Sequence, residues 1–396
     1  MIRSDSRALV VLLGAMTALT ALAIDMSLPA LPALSAEFDA SPERVQLTLS
    51  LFIIGYAGGQ IFHGPLSDRF GRKPVLIGGL VIYVAAAIAC AVSQSIDVLI
   101  AARLVMGFGG CVGPVLARAV VRDHYGGSLA AQMYSSLTAV FALAPLVAPT
   151  IGGWLLVHFS WRAIFVVLTL FAGTLFVVIV FGFAESLKAP DRDALRLGRL
   201  VRNYQTFLAS RVCLGYALLN GLCWAGIFAF LSASPFVFIT VYGVAPEHYG
   251  YYFAVLAVAL VIGALSNKRL LRRHAHDRVL RWGLMATVAG GAAVLAACIT
   301  RWGGAGGVMA GFMLYIWGQA VVAPNAMAAA LEPVPHMAGT GAALLGVVQM
   351  GCGAVAGYAV NALYDGTPVP MGVVILAMAL ATAALYFAML RRPSVS

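Results

Sequence analysis

One acid stands inside the first apolar stretch of the chain: Asp25, in a run that extends from Ala8 to Leu31. A carboxyl held out of water keeps its proton near neutral pH and yields it when water or a cation arrives, which is what proton carrying needs. Arg103 is the one cation inside an apolar run, so it must face other helices and find carbonyls or an acid. A third set is dense in charge. Gly64, Asp68, Arg69, Gly71, Arg72 and Lys73 follow the second apolar run, and Arg118, Arg122 and Asp123 follow the fourth. Such groups form ion pairs, and the glycines permit a tight turn and close helix approach. Pro149, Gly152 and Gly153 mark a bendable segment that packs closely. Tyr56, Trp224 and Gln349 lie in apolar runs and suit the wall of a pocket for an amphipathic ligand, although helix-to-helix hydrogen bonding is the commoner use of such residues.

Enzyme chemistry has no foothold in these residues. No HExxH pattern or comparable catalytic cluster occurs. The six cysteines, Cys90, Cys111, Cys213, Cys223, Cys298 and Cys352, form no CxxC pair and sit in or beside apolar runs, so neither a disulfide nor a metal site is expected, and no cofactor.

The elements that must hold these residues are membrane helices. Of 396 residues, 62% are hydrophobic and only 10% charged, where a soluble domain carries about 25%. Mean hydropathy is +0.94. The apolar residues come in blocks long enough to span a bilayer: 8–31, 46–65, 75–94, 98–120, 129–156, 162–184, 208–240, 249–266, 279–300, 306–331, 338–363 and 370–390. The sequence therefore divides into a six-helix half at 1–184, a polar linker at 185–207 and a second six-helix half at 208–396. Ala21-Leu22-Ala23 imitates a signal-peptide cleavage site, but the apolar run continues past it, so the segment reads as a retained span.

With the N-terminus placed inside, 21 of the 25 Lys and Arg fall on the inner side; only Arg44, Arg162 and Arg301 fall outside, and Arg103 lies within a span. This split puts both termini in the cytoplasm. It also explains the net charge of +10 without nucleic acid as a partner. A short repeat supports two parallel halves: Gly64-Pro65-Leu66-Ser67-Asp68-Arg69 follows span two, and Gly263-Ala264-Leu265-Ser266-Asn267-Lys268 follows span eight.

Gly64-Pro65-Leu66-Ser67-Asp68-Arg69-Phe70-Gly71-Arg72-Lys73 resembles the hallmark loop of the major facilitator superfamily, G-x-L-S-D-R-x-G-R-K, at every defined position. Leu99, Arg103, Gly107 and Gly109 resemble its fourth-helix pattern. Asp25 through Pro32 looks like the first-helix signature of its drug/proton antiporters. Ala117 through Asp123 and Trp161-Arg162-Ala163-Ile164-Phe165 narrow the resemblance to the Bcr/CflA group of bacterial drug exporters. Two features depart from the pattern. Ala144 and Ala148 replace the leading glycines of the helix-five motif, which softens the case for antiport over symport, and Thr17 stands where some related exporters carry an extra acid.

The resemblance implies an all-α membrane protein, twelve transmembrane helices in two pseudo-symmetric six-helix halves. It implies a monomer in the bacterial inner membrane that exports small amphipathic antibiotics, such as phenicol or bicyclomycin-like compounds, in exchange for protons by alternating access. A proton-linked metabolite carrier on the same fold stays open. Arg103 would tune the protonation of Asp25. The charged loop would act as a gate, with Asp68 at the N-terminus of helix eleven, where the helix dipole favours an anion. A membrane enzyme or receptor is disfavoured, because no catalytic cluster and no sizeable soluble domain is present.

Overall fold

A computed structural model describes residues 7–125, 133, 137, 144, 147–187, 189–191, 194–195, 197–334 and 338–390. Arg3, most of the first half of the fifth predicted span including Gln132, Lys188, Arg192, Arg196, Arg391 and Arg392 lie outside them. Among the described residues every regular element is helical, and eleven helices are long and apolar enough to cross a membrane. The described part of the fifth predicted span is a shorter apolar helix, Val147–His158. Most spans outrun their apolar runs by a few residues at one end or both, because backbone hydrogen bonding continues into the polar flanks.

The first span is α1, Arg7–Asp25, a 3₁₀ turn at Leu28–Ala30, and α2, Leu31–Glu37. Pro29 causes this break. It lacks the N–H that would reach the carbonyl of Asp25, and its ring crowds that carbonyl. The following helices are α3 Pro42–Phe70, α4 Arg72–Ala91, α5 Ile96–Gly110, α6 Val112–His124, α7 Val147–His158 and α8 Trp161–Gly182. The chain continues with α9 Leu197–Ala209, α10 Arg211–Pro235, α11 Pro246–Leu271, α12 His276–Thr300, α13 Gly304–Leu331, α14 Ala338–Ala362 and α15 Val369–Leu385. Ser95 starts α5 by accepting from Val98 N at 3.3 Å, and Ser210 starts α10 by accepting from Cys213 N at 3.3 Å.

The polar linker is not coil throughout. Its end folds as α9, whose Phe207 is fully buried with Cys213, Ala217, Ala330, Val334, Leu344 and Leu345. Apolar residues three and four apart give this helix one sticky face, which the high local charge conceals in a composition count.

Two compact units emerge: Met1–Leu200 with Ala245–Tyr251, and Val201–Val244 with Tyr252–Ser396. Their internal packing repeats. In the first unit α4 packs on α5 and α8, and α1 packs on α6. In the second unit the equivalent helix α12 packs on α13 and α15, and α10 packs on α13. The repeat read from a six-residue match thus extends to the helix contacts. Trp161 and Arg162 fasten the start of α8 to the end of span one. Both donate to Glu37, each at 2.5 Å, and Arg162 also donates to the carbonyl of Ser93 at 3.2 Å.

Candidate proton and gate sites

Asp25 ends α1 and is 5% exposed. Its carboxyl has no ion-pair partner among the described residues. The chain turns directly after it, and the turn leaves carbonyls without backbone donors. Ser27 N bonds to Ile24 O at 3.2 Å rather than to Ala23 O, and the Ser27 hydroxyl lies nearer Ile24 O (2.8 Å) than Ala23 O (3.2 Å), so Ala23 O accepts chiefly from Arg103 Nη1 at 3.1 Å. Thr17, two turns earlier, donates to the carbonyl of Leu13 at 2.8 Å.

Arg103 is 1% exposed on α5. Besides Ala23 O it donates to Ser27 Oγ at 3.2 Å and to Thr48 O at 3.3 Å. Its guanidinium lies 4.4 Å from the ring of Phe52 and 5.8 Å from that of Phe165. Carbonyls and ring faces satisfy a buried cation at lower desolvation cost than an isolated charge would bear. Arg103 therefore ties together the end of α1, α3, α5 and α8. It holds the residues on both sides of Asp25 without forming an ion pair to Asp25 itself.

The charged motif has a different shape from a loop. α3 runs through Gly64 and Pro65 to Phe70, and the turn is confined to Gly71. Gly64 has open space where a side chain would stand, so close approach does not explain it. Gly71 has φ +100°, a backbone state nearly closed to other residues. A Cβ there would also lie 2.6 Å from the Glu185 carboxylate. Glu185 uses that space to accept from Arg72 N at 2.9 Å and Lys73 N at 3.0 Å, so it caps α4.

Arg72 is the second buried arginine, although a count of basic flanks makes it an ordinary inside residue. Its Nε and Nη2 grip Asp123 at 2.8 and 3.3 Å, and its Nη1 reaches Asp68 at 2.6 Å and Ser67 Oγ at 2.7 Å. Ser186 adds a hydrogen bond to Asp123 at 3.1 Å. Arg122 approaches Asp68 at 3.7 Å, but both are well exposed, so this pair contributes at most about 1 kcal/mol. Lys73 donates to Val180 O at 2.8 Å. Arg69 lies over Phe70 at 5.3 Å and points to the surface, and Arg118 is exposed on α6. In the second unit the repeat position holds a neutral pair, Asn325 donating to Asn267 at 2.8 Å.

Pro149, Gly152 and Gly153 are buried on α7. A Cβ on Gly152 would fall 2.1 Å from the carbonyl of Met26, the residue after Asp25. One on Gly153 would fall 2.3 Å from the carbonyl of Pro246. Ala144 and Ala148, which replace the leading glycines, are buried too.

The three pocket candidates do not form one cluster within a unit. Tyr56 is buried in the first unit. Gln349 accepts from Asn220 at 3.4 Å in the second, and Trp224 stands half-buried one turn from Asn220. The sequence reading missed Gln46 and Ser50. They lie one turn apart on α3 and are buried, and Gln46 Oε1 and Nε2 and Ser50 Oγ have no hydrogen-bond partner among the described residues. It also missed Glu185, whose signal was available as the first acid after span six.

Comparison with known proteins bears on the family and the fold. A family model described as Major Facilitator Superfamily matches residues 13–357. A "Bicyclomycin resistance protein homolog" of Haemophilus influenzae is 34% identical over 91% of this chain and 90% of its own. A "Chloramphenicol resistance protein" of Pseudomonas aeruginosa is 32% identical over 88% and 83%. "Multidrug resistance protein D" of Escherichia coli is 31% identical over 88% and 87%. Among solved structures, a D-xylose-proton symporter superposes with TM-score 0.75 at 13% identity, covering 98% of both chains, a likeness of fold alone. With a family model spanning most of its length, a relative at 34% identity and the matching fold, the chain belongs to the Major Facilitator Superfamily.

Proposed function

We propose that this chain is a proton-coupled exporter of small amphipathic antibiotics, of the phenicol or bicyclomycin-like kind, working by alternating access as a monomer in the bacterial inner membrane with both termini cytoplasmic. The observation that carries the reading is the buried carboxyl of Asp25 at the break of span one, without an ion-pair partner among the described residues. The names of three relatives, resistance proteins for bicyclomycin, chloramphenicol and multiple drugs, supply the substrate class.

Asp25 takes up a proton on one side and releases it on the other. Arg103 acts as a positioning residue: it grips Ala23 and Ser27, so a rearrangement of α5 changes the surroundings of the carboxyl between them. Gly64, Asp68, Arg69, Gly71, Arg72, Lys73, Arg118, Arg122 and Asp123 serve the gate, and Pro149, Gly152 and Gly153 let α7 pack closely enough to follow span one. Tyr56, Trp224 and Gln349 contribute to drug binding, and Gln46 and Ser50, buried polar residues one turn apart on α3, join them. The central linker domain boundary, 185–207, joins two six-helix halves at 1–184 and 208–396.

Everted membrane vesicles carrying a preformed acid interior test the coupling. Addition of chloramphenicol should discharge the pH gradient with the wild type and leave it intact with Asp25→Asn at equal expression. Drug-linked proton movement and full resistance in Asp25→Asn would remove Asp25 from the mechanism.

A further inference from the structure

The run 268–281 joins α11 to α12 and holds six Lys or Arg, Lys268, Arg269, Arg272, Arg273, Arg278 and Arg281, against one acid, Asp277. That acid is already engaged. Tyr386 donates to one of its oxygens, and Arg281 pairs with the other at 3.1 Å. Arg278 has no ion pair among the described residues.

Arg278, Arg281, Trp282 and Met285 recur at i, i+3, i+4 and i+7, so they share one face of α12. Phe387, from the π-helical turn Tyr386–Leu390, forms the opposite wall of an open groove of about 660 Å³ within the second unit. The groove is graded. Two guanidiniums stand at its basic end with Phe387 across from them, on the turn whose Tyr386 bonds to Asp277; the Trp282 indole lies next, and Met285, 58% exposed, lies one turn further along α12 at the apolar end. Because α12 is a spanning helix, this order runs from the headgroup layer toward the acyl chains. A soluble anion would have no use for the exposed thioether and phenyl groups. A zwitterionic headgroup would bring its own cation against two arginines.

We infer that this groove is a binding site for an anionic phospholipid, with the phosphate on Arg278 and Arg281 and the glycerol and first acyl carbons along Trp282, Met285 and Phe387. The inference is independent of what the protein transports.

Native mass spectrometry of the full chain in detergent, titrated with dioleoyl phosphatidylglycerol or dioleoyl phosphatidylcholine, tests it. The wild type should retain phosphatidylglycerol in preference to phosphatidylcholine. Arg278→Gln should weaken phosphatidylglycerol about fivefold, and Arg278→Gln with Arg281→Gln about 30-fold, to the level of phosphatidylcholine. Because Arg281 also pairs with Asp277, the single Arg278→Gln variant keeps the result readable if the double variant folds poorly. Arg272→Gln with Arg273→Gln, outside the groove, should change binding less than about twofold. Equal retention of the two lipids by the wild type would overturn the site, as would undiminished phosphatidylglycerol binding by Arg278→Gln. An equal loss in the Arg272/Arg273 variant would assign the effect to diffuse charge instead. Displacement of the lipid by millimolar glycerol 3-phosphate would make it a soluble-phosphate site and refute the lipid assignment.

Discussion

Arg72 shows how differently two charges in one motif are used. Its grip on Asp123 is nearly out of water, with side chains 2% and 12% exposed, whereas the Asp68–Arg122 pair is open to solvent. Removing Asp123 leaves Arg72 held by Asp68 and Ser67 through Nη1 but takes the acceptor from its buried Nε and Nη2, at a cost of about 1.5–3 kcal/mol. Asp123→Ala should therefore lower the thermal midpoint of the detergent-solubilised protein by several degrees, while Arg122→Gln shifts it by about a degree or less. Scanning fluorimetry on the two variants separates the cases, and similar midpoints would show that Asp123 is not the anchor. Gly71→Ala belongs to the same scale. The backbone strain at φ +100° costs about 1–2 kcal/mol, and the new methyl also displaces the Glu185 cap, so the loss should exceed that of Glu185→Gln alone.

Among the helices, the contact that matters most for the proposed chemistry is α7 against the turn after Asp25. A methyl on Gly152 has no room beside the Met26 carbonyl, and that carbonyl belongs to backbone that cannot swing aside like a long side chain. Gly152→Ala should push α7 away from span one, reduce proton-coupled efflux by about tenfold or more, and cost about 1–3 kcal/mol in stability. Gly78→Ala is the control, since it fills open space on α4 and should leave stability and transport within about twofold. Equal damage from the two substitutions in a vesicle efflux assay would refute the close-packing explanation. Pro29 and Pro32 carry the local signal for the break that creates the turn, although hydropathy alone reads 8–31 as one span. The surface on which α7 closes has no such signal, because Gly152 and Met26 lie far apart in sequence.

For the molecule as a whole, the two units share a packing scheme but not their chemistry. The first places a charged network where the second has the Asn267–Asn325 amide pair, and among the described residues the buried acid and the buried arginines occur only in the first. The proposed proton handling would thus fall to one half of a pseudo-symmetric pair. The asymmetry of basic flanks predicts that both termini face the cytoplasm. A C-terminal fluorescent-protein fusion should glow, and the matching alkaline phosphatase fusion should be inactive; the reverse pattern would invert the topology.

Hydropathy is a local property, so the sequence alone was enough to determine the membrane class, the positions of the spans, the bias of positive charge and the rarity of Asp25 and Arg103 within apolar runs. Partner choice is not local. Arg103 reaches Ala23 and Ser27 across 80 and 76 residues, Arg72 finds Asp123 across 51, and Glu185 caps α4 across 113. Only the tertiary structure decided that Arg103 holds the neighbours of Asp25 rather than its carboxylate. The reason is physical: a buried cation settles wherever carbonyls left unpaired by a helix break and the faces of aromatic rings converge, and that convergence exists only once four helices have packed.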